Sequence, residues 1–212
     1  MKGLKQLTIT VIFVVFALYS ASAQSFRGGI MAGLSTSQVD GDTRGGYHRA
    51  GLIAGGYVGF DISKKIAWQM EMKFVQKGSY QGINPNDSIM STSYDLRLNY
   101  IEMPLLFKYQ YKDRLAFEAG LGFGYLISHK ENSEYGPIYP NNIHPFHKFE
   151  IDYQIGGSYQ LLENLYFNIR YSYSVLPIRQ DINGARRILF QIGQFNNVII
   201  FSFYYQFNKP DE

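Results

Sequence analysis

The chain has no cysteine. A disulfide framework and a cysteine-ligated metal are both excluded, so stability must come from hydrogen-bonded backbone and packing. A dominant charge sign is also missing, since 20 Lys and Arg face 17 Asp and Glu. Without a clustered basic surface, nucleic acid is excluded as a partner. Long apolar runs are confined to the amino terminus, and nothing after it approaches the roughly 20 residues that a spanning helix needs. Aromatics are plentiful, with 18 Tyr and 16 Phe but a single Trp, Trp68.

The amino terminus sets the compartment. Lys2 and Lys5 precede an apolar run from Leu7 to Tyr19, and Ala21-Ser22-Ala23 supplies the small residues that signal peptidase accepts. Residues 1–23 are therefore expected to be a cleaved secretory signal peptide. Residues 24–212 then form one domain of 212 − 23 = 189 residues, with 20 − 2 = 18 bases against 17 acids.

The rest of the chain alternates. From Ile101 to Tyr111 the odd positions are apolar or aromatic, and after the polar turn Lys112-Asp113-Arg114 the pattern resumes from Leu115 to Ile127. Two strands with an uncharged odd face and a mixed even face make a hairpin. Similar alternation marks strands at Phe26 to Leu34, Ala50 to Ile62, Ile66 to Phe74, Phe149 to Leu161, Leu165 to Val175 and Asn196 to Phe207. Short turns (Ser63-Lys64-Lys65, Lys112-Asp113-Arg114, Leu162-Glu163-Asn164) alternate with longer polar segments, including 78–93, 130–147 and 176–195. The pattern predicts an all-β fold, an eight-stranded antiparallel up-and-down transmembrane β-barrel with three short periplasmic turns and four longer external loops. Before Ile101 the apolar phase reverses (Leu96, Leu98, Tyr100), and Pro104 cannot donate a ladder hydrogen bond. A bulge, or projection beyond the membrane, is expected there.

Eight strands enclose an interior that side chains can fill. The lumen face is assigned Arg27, Glu71, Lys73, Glu102, Lys108, Glu118, Glu150, Asp152 and Arg170. Nearly balanced charge in a narrow space should pair, because an unpaired buried charge is costly. A network of this kind is the candidate site, and a wide diffusion pore is excluded by the strand number.

Catalytic or metal chemistry has thin support. Ser128 and His129 are adjacent, but neighbouring strand residues point to opposite faces. His144 and His147 flank Pro145 and no cysteine or nearby carboxylate completes a ligand set. Gly120, Gly122 and Gly124 recur at period two inside a strand with no helix following, so they relieve crowding in the lumen and do not cradle phosphate. No cofactor is expected. Arg179, Arg186 and Arg187 are read as solvated loop charge, with lipopolysaccharide phosphates or a partner protein as the other reading. Trp68, Tyr109, Tyr111, Tyr159 and Tyr173 fit interface girdles.

The segment YIEMPLLFKYQY, followed by a short turn and FEAGLGFGYLI, resembles the hallmark hairpin of the PorT-like outer-membrane barrels of Bacteroidetes. GGIMAGL, the GGY of the second strand and IGGSYQLLENLYFNIRYSYSV are similar to that group too. The resemblance implies an eight-stranded outer-membrane barrel, and the namesake member takes part in type IX secretion. It supplies no catalytic residues. The expected function is a non-enzymatic barrel of the bacterial outer membrane, surrounded by lipid and lipopolysaccharide, whose loops or rim engage an envelope or secretion protein. A small barrel enzyme acting on lipid or peptide, and an exported soluble barrel binding an apolar ligand, stay open as alternatives.

Overall fold

Each alternating stretch becomes a strand. A computed structural model of the protein describes residues 26–42, 45–82, 93–134, 136–137, 145–180, 187–188 and 191–207. The strands are β1 (Phe26–Asp40), β2 (Arg49–Ser63), β3 (Ile66–Gln81), β4 (Tyr94–Lys112), β5 (Leu115–Ser133), β6 (Phe149–Leu162), β7 (Leu165–Ser174) and β8 (Phe195–Gln206). Residues 136–137 fold back antiparallel on the end of β5, and 187–188 pair with 191–192. Every strand pairs antiparallel with its neighbours in sequence. The first and last strands also pair, from Gly29 opposite Gln206 to Asp40 opposite Phe195, and this closes the barrel.

Several strands outrun their sequence boundaries. β1 continues from Leu34 to Asp40, β3 includes 78–81, and β5 runs on to Ser133. The extensions carry no apolar stripe because most of their outward positions are polar, Thr36, Gln38 and Asp40 in β1 and Lys130 in β5 among them, so the stripe stops while the ladder goes on. The signal-peptide stretch, His144 and Arg186 lie outside the described residues.

The outer wall is apolar around the barrel's waist. Ile30, Leu52, Met72, Met103, Phe117, Leu121, Phe123, Ile155, Ile169 and Phe203 are all exposed. A continuous band of this kind is unstable in water and suited to hydrocarbon, where a closed ladder leaves no backbone group unpaired at an edge.

The reversal before Ile101 has a simple geometry. Alternation runs unbroken through β4: Tyr94, Leu96, Leu98 and Tyr100 point inward with Glu102 and Leu106, while Arg97 and Ile101 point outward. Polarity inverts and direction does not. Below this level the wall is apolar outside and charged inside; above it Val39, Val75, Leu96, Leu98, Val198 and Ile200 pack inside, beside buried Ser37, Asn196 and the Glu131–Arg179 pair. The bulge falls on β5, where the register passes from Leu126 opposite Tyr100 to Ser128 opposite Asn99 and leaves Ile127 unmatched. Near Pro104 the β3–β4 ladder skips from Met70 opposite Leu105 to Lys73 opposite Glu102, consistent with the missing proline N–H.

β2 and β3 part company near the loops. Their ladder starts only at Ile53 opposite Val75. Two hydroxyls of β1 reach across instead: Ser35 Oγ donates to the Gln76 carbonyl (2.6 Å) and Ser37 Oγ to the Gly78 carbonyl (3.0 Å). Small residues at these inward positions keep the carbonyls of β3 satisfied.

Candidate functional site

The lumen is filled by charged side chains from β3 to β7. Period-two alternation places Glu71, Lys73 and Lys77 in one column of β3, facing Glu102 of β4, Glu118 of β5, Glu150 and Asp152 of β6 and Arg170 of β7. All of these residues are buried.

Arg170 organises the half nearer the short turns. Its guanidinium makes a bidentate pair with Glu71, Nη1–Oε2 2.8 Å and Nη2–Oε1 2.9 Å, and its Nε reaches Glu118 Oε1 at 2.7 Å. Tyr204 and Gln69 donate to Glu71 at 2.9 and 2.7 Å, and Asn168 donates to Glu118 at 2.8 Å. Lys108 meets Glu118 at 3.3 Å. A planar cation with donors in several directions is suited to linking three strands in this way.

Lys77 organises the next layer. Its ammonium pairs with Glu102, with Glu150 at 3.1 Å and with Asp152 at 3.8 Å. Lys73 lies between the layers, 3.7 Å from Glu71 and 3.5 Å from Glu102. Ser174 and Asn196 donate to Glu150, and Gln154 donates to Asp152. Gly122 makes room for this cluster, since a Cβ there would lie 2.6 Å from both Asp152 Oδ1 and Gln154 Nε2.

Among the nine residues assigned to the lumen, Glu71, Lys73, Glu102, Lys108, Glu118, Glu150, Asp152 and Arg170 meet in this network. Arg27 does not; it pairs with Asp61 at 2.6 Å, and its side chain is 21% exposed near the turn end. Lys77 was missing from the assignment although it lies on the same face of β3. The sequence pattern itself puts Lys77 on the polar face of β3 with Gln69, Glu71 and Lys73, and the structure adds it to the lumen set.

Arg179 corrects a sequence expectation. It is buried, not solvated, and holds Glu131 through two 2.9 Å contacts while its guanidinium lies 4.3 Å over the Phe146 ring. Burial works against its charge, but hydrogen bonding and attraction from Glu131 outweigh that and raise its pKa above the ordinary arginine value. Tyr94 donates to Glu131 at 2.6 Å, and Ile178 sits beneath. The segment after β7 thus folds inward and stoppers the loop end. Its burial had no sequence signal, since nothing local distinguishes Arg179 from an exposed loop arginine.

One further expectation changes. Tyr173 is covered by Phe195, stacked at 6.2 Å, so it is no exposed girdle residue, whereas Tyr109, Tyr111 and Tyr159 are exposed. Ser128 accepts from Asn99 (2.9 Å) and His129 packs on Phe146 (5.0 Å); among the described residues no hydrogen bond joins them. His147 Nδ1 lies 3.0 Å from the Pro177 carbonyl, and no group of three or more His, Cys, Asp or Glu among the described residues is arranged to hold a metal.

The sequence matches a family model described as an outer membrane protein beta-barrel domain over residues 20–179. No curated protein matches the sequence. Among solved structures, the chain is similar to Ail, the attachment invasion locus protein of Yersinia pestis, crystallised with the heparin analogue sucrose octasulfate. Identity is 12%, the TM-score 0.52, and the match covers 86% of this chain and 99% of that one. Neisserial surface protein A aligns at 11% identity and TM-score 0.48, covering 87% and 99%. At such low identity the likeness to Ail speaks to the fold alone.

Proposed function

Because the chain belongs to the outer membrane protein β-barrel domain family and lies in the outer membrane, we propose that it is a non-enzymatic anchor whose exposed rim and loops engage a protein of the envelope, in assembly or secretion. One observation carries the reading: the lumen is closed. The side chains of Lys73, Lys77, Glu102 and Arg170 are fully shielded, and the apolar layer of Leu96, Leu98, Tyr100 and Ile200 lies above them. A barrel filled in this way has its working surfaces at its two ends. Removal of residues 1–23 on export, a mature chain starting at Gln24, and the finer likeness to PorT-like barrels of Bacteroidetes belong to the same proposal.

Two measurements test it. Planar bilayers containing the refolded protein should show no steady ohmic conductance, and photo-crosslinkers at Tyr80, Arg97, Lys64 and Arg114 should capture an envelope protein in cells. Steady conductance, or crosslinks to lipid only, overturns the anchor reading. The enzymatic alternative is tested at Ser128 and His129. Alanine at both should leave any phenotype intact, and loss of a lipid or peptide hydrolysis activity with the barrel folded would establish the enzyme instead.

A further inference from the structure

The turn end of the barrel is concave and basic. A cavity of about 440 Å³ opens there, lined by Arg27, Lys64, Lys65 and Lys108 with Asp61 as its acid. A deeper cleft continues from it, with Arg114 at its edge and Gln69, Tyr57 and Tyr204 among its walls. Among the described residues, the charges lining the two spaces are five bases and one acid, a net of +4. Two of the nearby acids are already committed, Asp61 to Arg27 and Glu118, behind the wall, to Lys108 and Arg170, while Asp113 is exposed in the same turn as Arg114. At the floor, Gln69 and Tyr204 donate to Glu71. Arg27 Nε is buried without a hydrogen-bond partner, and Lys64, Lys65 and Arg114 have no ion pair among the described residues.

We propose that this vestibule is the docking site for an acidic, extended peptide segment of a periplasmic protein. The proposal rests on the anchor reading and supplies its periplasmic partner's chemistry. Excess positive charge inside a low-dielectric rim attracts and concentrates anions. Its inner lining, Ala67, Lys108 and Ala116, belongs to the lumen face and not to the lipid-facing wall, which favours an occupant from the periplasm over a headgroup of the surrounding leaflet. The mouth of an eight-stranded barrel is narrow, which favours one extended chain over a folded domain. Bases spread over the β2–β3 turn, the β4–β5 turn, β1 and β4 match several carboxylates spaced along a peptide better than a single compact anion.

The test uses the full mature chain refolded into nanodiscs of zwitterionic lipid. A fluorescent tetraglutamate peptide is titrated, with a tetraglutamine peptide and inorganic phosphate as comparators. The glutamate peptide should bind, weaken as salt is raised, and lose about tenfold or more in affinity when Lys64, Lys65 and Arg114 are all replaced by Gln, a change of at least 1.4 kcal/mol. These three residues sit in or beside turns, and unchanged heat-modifiable mobility confirms that the variant folds. Equal binding of the glutamine peptide, equal binding by the triple variant, or full competition by phosphate at matched concentration overturns the proposal. If peptide binding fails while crosslinks at Tyr80 and Arg97 still capture a partner, the vestibule proposal alone falls. If no envelope protein is captured from any position, the anchor reading falls with it.

Discussion

Arg179 leaves the chain after β7, crosses the mouth of the barrel and grips Glu131 of β5 with both terminal nitrogens, each at 2.9 Å. The two residues are 48 positions apart, and their pairing closes the loop end. Arg179→Ala leaves Glu131 with only Tyr94 among these polar partners, at a local cost on the order of 2 kcal/mol. The expected outcome is faster protease cleavage between 175 and 195 with the barrel intact. Unchanged cleavage would show that Arg179 is not what fastens the segment.

Arg170 should matter more. Arg170→Met removes the guanidinium shared by Glu71 and Glu118 and leaves them only Lys73 and Lys108 as cations in a dry interior, a loss of roughly 3 to 5 kcal/mol. Urea titration of the refolded protein, read by tryptophan fluorescence at Trp68 or by heat-modifiable mobility, measures it. The double variant Arg170→Met, Glu71→Gln should recover part of that loss, because the under-paired Glu71 charge is gone while Lys73 keeps Glu102 and Glu118 keeps Lys108.

On the lipid face, Phe117→Arg or Leu121→Arg should each cost roughly 2 to 4 kcal/mol near the midplane. Arg97→Ala, outward but above the inversion, should stay within about 0.5 kcal/mol. Equal costs in an assembly assay would refute the placement of the apolar band. Glu118→Gln is no neutral control, since Arg170 and Lys108 both depend on that carboxylate.

Gly122→Ala puts a Cβ within 2.6 Å of the Asp152 and Gln154 side-chain ends. It should lower the urea midpoint and shift the packing of that layer, at a cost of about 1 to 3 kcal/mol for overpacking. Gly45→Ala, where a Cβ meets nothing within 4 Å, should leave the midpoint unchanged.

The fold was legible because period-two alternation is a backbone property that residue type reveals directly wherever the two faces meet different solvents. Phe117 and Glu118 disclose their faces without knowledge of any partner. The lumen residues were legible as a face but not as pairs, since contacts such as Arg170 with Glu71 depend on three-dimensional closure. Arg179 was unreadable for a different reason. It lies in an aperiodic segment, where burial depends on how the chain folds back and not on local pattern. The strand extensions beyond Leu34 and Phe74 failed at the boundary where both faces change character.

The inversion between Asn99 and Ile101 works as a waterline. Below it hydrocarbon is the favourable surroundings for the outer wall; above it, water is. Sliding the barrel one residue up the bilayer normal would drag apolar side chains into the headgroups, and sliding it down would sink Asn99, Arg97 and Ser128 into hydrocarbon. The protein's immersion depth is therefore written into two successive outward residues of β4, Asn99 and Ile101, and a neighbour in the membrane would meet its loops at a fixed height.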